Sequence, residues 1–152
     1  MKRFLIAIVG LMQAMAISAG GSTHSDYHFT HIKSANGLPH QQVETMAFDG
    51  MGRLWIGTRN GLACYDGYSF TTYYHDPGDS TSLNHNFVIK LLVDSRNDLW
   101  VGTEKGVCRY CPETDNFRSY DVGGERVGRI VETLDSTIII GGSNLRKFDR
   151  KT

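Results

Sequence analysis

One stretch of this chain is written twice. Leu54-Trp55-Ile56-Gly57-Thr58-Arg59-Asn60-Gly61-Leu62 returns forty-five positions later as Leu99-Trp100-Val101-Gly102-Thr103-Glu104-Lys105-Gly106-Val107. A short apolar run with a tryptophan, a Gly-Thr stop, two polar residues and a second glycine reads as strand, tight turn, strand. When residues 38–66 are laid over residues 83–111, ten of the 29 positions are identical. Several of the others exchange like for like, Met46 for Leu91 and Ile56 for Val101 among them. A period of about 40–45 residues carrying four short strands is the signature of a β-propeller blade. The repeat predicts an all-β chain, a partial β-propeller of about three four-stranded antiparallel blades. The Gly-His and Trp-Asp pairs of one common propeller class are missing.

Hydrophobic alternation and turn residues place the strands. In the first copy they fall at 43–49, 53–57, 62–66 and 69–74, with Asp49-Gly50-Met51-Gly52 and Asp66-Gly67 as turns. In the second they fall at 87–94, 98–102, 107–111 and 116–120, and Pro112-Glu113-Thr114-Asp115 lengthens the last hairpin. A weaker third copy runs over 127–134, 137–141 and 145–149. There Ile138-Ile139-Ile140-Gly141 stands where Leu-Trp-Ile-Gly stood. Alternation from Tyr27 to Ile32 predicts a further, leading strand. The expected divisions are a signal peptide over 1–19, leading strand and linker over 20–37, and blades over 38–82, 83–121 and, incomplete, 122–152. Trp55 and Trp100 sit among aliphatic residues on second strands, where neighbouring blades pack, and are expected in the core.

Met1-Lys2-Arg3, an apolar run from Phe4 to Ile17 and the small residues Ser18 to Ser22 make a secretory signal peptide, with cleavage expected after Ala19. The run is shorter than the roughly 18–20 residues an ordinary membrane helix needs. The expected location is periplasmic, with membrane attachment only through an uncleaved signal segment. No second membrane-spanning run follows. Without Lys2 and Arg3 the mature chain has 14 basic against 16 acidic residues, and no basic run argues for nucleic acid. Cys64, Cys108 and Cys111 are odd in number for an exported chain. Cys108-x-x-Cys111 ends a strand rather than opening a helix and has no second ligand pair, so neither redox nor zinc chemistry is indicated. A Cys64–Cys108 bridge between neighbouring blades is an open alternative. His24, His28 and His31 lie in a β context that breaks helical metal-ligand spacing, and no metal or cofactor is expected.

In propellers the loops leading into first strands share one face with those joining second to third strands. Here that face would carry His40, Gln41, Arg59, Asn60, His85, Asn86, Glu104 and Lys105 as candidate ligand-binding residues. His40 and His85 recur at the same blade position, which suits a polar ring on that face and equally a side chain that closes a turn. An enzymatic reading, such as a propeller lyase, would use these two as acid and base. No nucleophile elbow, HExxH or phosphate loop accompanies them, so no catalytic residues are assigned. A third reading is an exported, lectin-like propeller assembled from several chains, two of which would give roughly six blades.

The motif V-x-x-M/L-x-x-D-x-x-x-x-L-W-I/V-G-T-x-x-G-L/V-x-x-Y, followed by an aromatic residue, resembles the two-component regulator propeller repeat. It is carried by Val43 through Phe70, and by Leu83 with Val88 through Phe117. The resemblance implies the N-terminal, periplasmic sensor part of a hybrid two-component histidine kinase of Bacteroidetes, and commonly a response to glycans. In that family a signal peptide precedes two seven-bladed propellers, a β-sandwich, a membrane helix, a kinase and often a receiver with a DNA-binding domain. It implies here an oligosaccharide ligand and, as partner, the remainder of a sensor kinase, a homodimer being the alternative. The chain matches only the beginning of that layout, so kinase activity is expected only in longer relatives. Propellers close with about four to eight blades, and three repeats are near the minimum for a stable stack. The expectation is a fragment of a seven-bladed ring.

Overall fold

The computed structural model describes residues 28–149. The expected signal peptide lies outside the described residues. Among those described, no helix is long and apolar enough to cross a membrane. A short 3-10 turn at Ser34–Asn36 precedes eleven strands. β1 (Val43–Phe48), β2 (Leu54–Thr58), β3 (Gly61–Tyr65) and β4 (Phe70–Tyr73) form the first sheet, each paired antiparallel with the next. β5 (Val88–Val93), β6 (Leu99–Thr103), β7 (Gly106–Cys111) and β8 (Asn116–Tyr120) repeat that order in the second. β9 (Arg129–Glu132), β10 (Ile138–Gly141) and β11 (Leu145–Phe148) form a three-stranded third sheet. The copies agree down to their irregularities. The first strand breaks register between Val43 and Thr45 in one sheet and between Val88 and Lys90 in the next.

The Gly-Thr-x-x-Gly signature is a hairpin with its own lock. Thr58 Oγ1 donates to the Gly61 carbonyl at 2.8 Å and accepts the Asn60 N–H at 3.2 Å. Thr103 repeats both bonds, to Gly106 at 3.2 Å and from Lys105 at 3.1 Å. Gly61 and Gly106 have φ of 116° and 126°, a region that side chains strain. The glycine before each threonine serves packing instead. A Cβ on Gly57 would meet Val88 of the next sheet at 2.5 Å, and one on Gly102 would meet Val127 at 2.9 Å.

Sheets stack through aromatic contacts centred on the tryptophans, both fully buried. Trp55 lies 4.7 Å from the Tyr110 ring of the second sheet, with Cys64, Leu91, Val101 and Phe117 in the same cluster. Trp100 lies 5.0 Å from Phe148 of the third, among Val107, Val127, Ile130 and Ile138. Each indole is held by a carboxylate six residues earlier. Trp55 Nε1–H donates to Asp49 at 2.9 Å and Trp100 Nε1–H to Asp94 at 2.6 Å. The other oxygen of each carboxylate closes the preceding turn, accepting the N–H of Met51 and Arg53 in one sheet and of Arg96 and Asp98 in the other. The third copy loses both partners at once. Thr133 replaces the aspartate and Ile139 the tryptophan, and the Thr133 hydroxyl bonds the Thr137 carbonyl and N–H to close its turn. A buried indole N–H without an acceptor would be costly, which accounts for the two changes occurring together.

Polar staples repeat at the junctions. Gly50 N–H donates to Asn97 Oδ1 across the first, while Ser95 N–H and Oγ–H donate to Glu132 at 2.8 and 2.6 Å across the second. Asp115 accepts the hydroxyls of Tyr73, from the first sheet, and Tyr110, from its own, at 2.7 and 2.8 Å.

Two expectations need correction. Residues 28–33 form no strand, and Phe29 is 89% exposed. Alternation alone does not make a strand, because its backbone groups must pair with a sheet edge, and residues 28–33 belong to none of the three sheets. The alternative Cys64–Cys108 bridge is not formed. All three cysteines are free thiols, and burial pushes Cys64 up to about 11 and Cys108 up to about 12, so neither is a thiolate at neutral pH.

Candidate functional site

Backbone bonds between successive sheets bring the loops of one face together. Gly61 N–H donates to the Asn86 carbonyl at 2.7 Å, so the β2–β3 turn rests on the loop leading into β5. Val127 N–H donates to the Thr103 carbonyl at 2.9 Å, placing the β6–β7 turn against the loop leading into β9. Within each sheet the turn is tied to its own leading loop, Arg59 N–H to Gln42 O at 3.3 Å and Glu104 N–H to Phe87 O at 3.1 Å.

Of the eight sequence-predicted residues, Arg59, Asn60, His85 and Asn86 lie at the first junction of this face and Glu104 and Lys105 at the second, while His40 and Gln41 lie on the loop leading into β1. At the first, Arg59 pairs with Glu44 at 2.7 Å, and its guanidinium lies over the Phe87 ring at 5.3 Å. Asn60 is exposed beside it. Asn86 Oδ1 accepts the His75 N–H at 2.6 Å, which ties the long loop between sheets to this junction. At the second, Glu104 lies 3.8 Å from Arg126, and Lys105 is exposed. The histidines take equivalent roles in their turns. His40 Nδ1 accepts the Gln42 N–H at 3.0 Å and His85 Nδ1 accepts the Phe87 N–H at 3.1 Å. Partial burial, then the Lys105 charge, lowers the His85 pKa despite Glu104, which fits a neutral ring accepting at Nδ1. Gln41 is exposed at the same turn.

Phe87 and Arg126 were missed by the sequence reading. Phe87 stands between Arg59 and Arg126, the latter 6.0 Å from its ring. A cleft of about 370 Å³ opens beside Arg126, walled by Arg129, Gly128, Gly141, Gly142 and Ser143. The signal was available in the alignment of copies, since Gln42, Phe87 and Arg126 precede the valines that start each repeat. The face offers guanidinium and amide donors and one aromatic ring. Among the described residues no group of three His, Cys, Asp or Glu side chains converges on a metal position.

The two-component regulator propeller family matches at residues 37–60 and 82–105. Two stretches of the chain are thus similar to the two-component regulator propeller repeat. A protein named histidine kinase P4, from Formosa agariphila, is 35% identical over 84 residues, which are 55% of this chain and 6% of that protein. The extracellular domain of a putative hybrid two-component system from B. thetaiotaomicron shares the fold with a TM-score of 0.73 at 23% identity, over 80% of this chain and 19% of that one. A second such domain from the same organism gives 0.64 at 25% identity, over 77% and 16%. The chain thus spans under a fifth of each of these three relatives. Virginiamycin B lyase from Staphylococcus aureus is similar in fold alone, with a TM-score of 0.53 at 14% identity over 73% of this chain and 42% of the lyase. These repeats are therefore blades of a partial β-propeller, as the forty-five-residue period predicts.

Proposed function

We propose that this chain is an extracytoplasmic, ligand-sensing part of a two-component regulatory system, that its ligand is an oligosaccharide, and that it performs no catalysis of its own. The observation that carries the reading is the loop face. Neighbouring blades hydrogen-bond their turns to each other's leading loops and present Arg59, Asn60, Lys105 and Phe87 there. Fixed amide and guanidinium donors around an aromatic ring are the chemistry that recognises sugar hydroxyls. The extracellular two-component relatives support an extracytoplasmic location, and the remainder of a sensor kinase is the partner this reading names. His40 and His85 use Nδ1 as turn acceptors, which takes that atom out of acid–base work.

The test is a thermal-shift screen of the purified chain against an oligosaccharide library. At a hundredfold excess over Kd a ligand adds about 2.7 kcal/mol, a Tm rise of several degrees. The expected result is such a rise for one oligosaccharide class, abolished in Arg59→Ala/Lys105→Ala. Both side chains are at the surface, so the variant folds at a cost of about 1 kcal/mol or less. A library without a hit, or a hit that the double variant retains, would contradict the reading.

A further inference from the structure

Blade two departs from blade one at three positions that meet in space. Where the first copy has Met51, Cys64 and Thr71, the second has Arg96, Arg109 and Arg118. Trp100, Arg109 and Arg118 lie directly opposite one another across β6, β7 and β8, as Trp55, Cys64 and Thr71 do across β2, β3 and β4. The three arginines line one cleft of about 340 Å³ between the second and third sheets, floored by Trp100 and flanked by Tyr120 and Phe148. It opens at the β5–β6 end of the blade, whereas the Glu104-Lys105 loop face lies at the far end of β6.

Two like charges set directly opposite across a strand pair repel, so this row is unfavourable to the fold as it stands. Asp98 and Asp149 also line the cleft, which leaves three guanidiniums against two carboxylates. Arg109 reaches Asp98 at 3.3 Å through one terminal nitrogen, and its Nε is buried with no hydrogen-bond partner. The Arg118 guanidinium lies over Tyr120 at 5.7 Å. Guanidinium forks match the paired oxygens of sulfate, phosphate and carboxylate. We propose that this cleft is an oxyanion-binding site, with Arg109 and Arg118 as its donors and Arg96 at its mouth. The oxyanion is either a free inorganic ion or a sulfate or carboxylate group on a larger molecule.

The experiment titrates the full chain with sodium sulfate at ionic strength held constant with chloride, following tryptophan fluorescence, since Trp100 floors the cleft. Acetate and a sulfated monosaccharide form the other arms. Sulfate is expected to saturate the signal where chloride does not, and tighter binding of the sulfated sugar would identify the larger molecule as the source. Arg118→Thr and Arg96→Met, each restoring the residue of blade one at a surface position, are expected to weaken sulfate at least about tenfold. Arg59→Ala/Lys105→Ala, on the loop face, is expected to leave sulfate binding unchanged, which separates this site from the proposed sensing face. A response to sulfate no different from chloride, or wild-type affinity in both arginine variants, would overturn the proposal.

Discussion

Trp55→Ala is expected to cost about 3–5 kcal/mol of folding free energy, a large share of the roughly 5–15 kcal/mol that holds an ordinary domain together. The ring is fully buried and packs on residues of two sheets, with Tyr73 at 5.7 Å and Tyr110 at 4.7 Å. Truncation opens a void between blades and strands Asp49 without its indole donor. Ile139→Ala, at the equivalent position of the third copy, removes a half-buried side chain and is expected to cost about 1 kcal/mol. Urea denaturation of the two variants checks this. A loss below about 1 kcal/mol for Trp55→Ala, or equal losses for both, would place the tryptophan outside the interface core.

The second large effect concerns Asp49, which accepts from the Trp55 indole, from the backbone of Met51 and Arg53, and from Arg53 Nε at 2.8 Å. Asp49→Ala leaves a buried indole N–H and two turn N–H groups without acceptors, at an expected cost of about 2–4 kcal/mol. The carboxylate also makes stability depend on pH. Burial alone would raise its pKa, but the Trp55 and Arg53 hydrogen bonds and the Arg53 charge outweigh it and hold the pKa below the usual 3.8. A depressed folded-state pKa contributes stability that is complete above the unfolded value and is lost as pH falls through the folded one. Chemical denaturation from pH 6 to pH 2 is expected to show that loss beginning below about pH 4, and Asp49→Asn to show a shallower acid limb. Parallel acid limbs would mean that Asp49 is not the group being titrated. Asp66, Asp79 and Asp135, each lowered by hydrogen bonds within its own turn, supply the remaining slope.

The blades were legible in the sequence because their determinants are local and written twice. The Asp-Gly turns, the Gly-Thr-x-x-Gly hairpin and the alternating strands put β1 to β11 within a residue or two of where they lie. What was not legible depends on pairing across sequence distance. The aspartate recurs at the same position of the first two copies, but its bond to the tryptophan six residues on follows only from the curl of the turn between them. The loss of both in the third copy was the one trace of that bond in the sequence. The expected leading strand failed for the complementary reason, since alternation from Tyr27 to Ile32 says nothing of an edge to pair with. On the loop face, His40 and His85 stand out by recurrence, whereas the copies align Phe87 with the unlike Gln42 and Arg126, and its place between arginines of two other blades follows only from the stacking. Arg109 and Arg118 are nine residues apart and become neighbours only through the register of β7 with β8.

Both indoles are sealed between blades and bonded to aspartate. Hydrogen–deuterium exchange of the indole N–H groups, followed by NMR of the nitrogen-labelled chain, addresses this directly, because the chain has two tryptophans and hence two indole signals. Both are expected to persist long after exposed amides have exchanged, and Asp49→Ala and Asp94→Ala are each expected to release the signal of their own tryptophan. Two indoles exchanging at the rate of an unfolded peptide in the wild-type chain would contradict the stacked-blade structure.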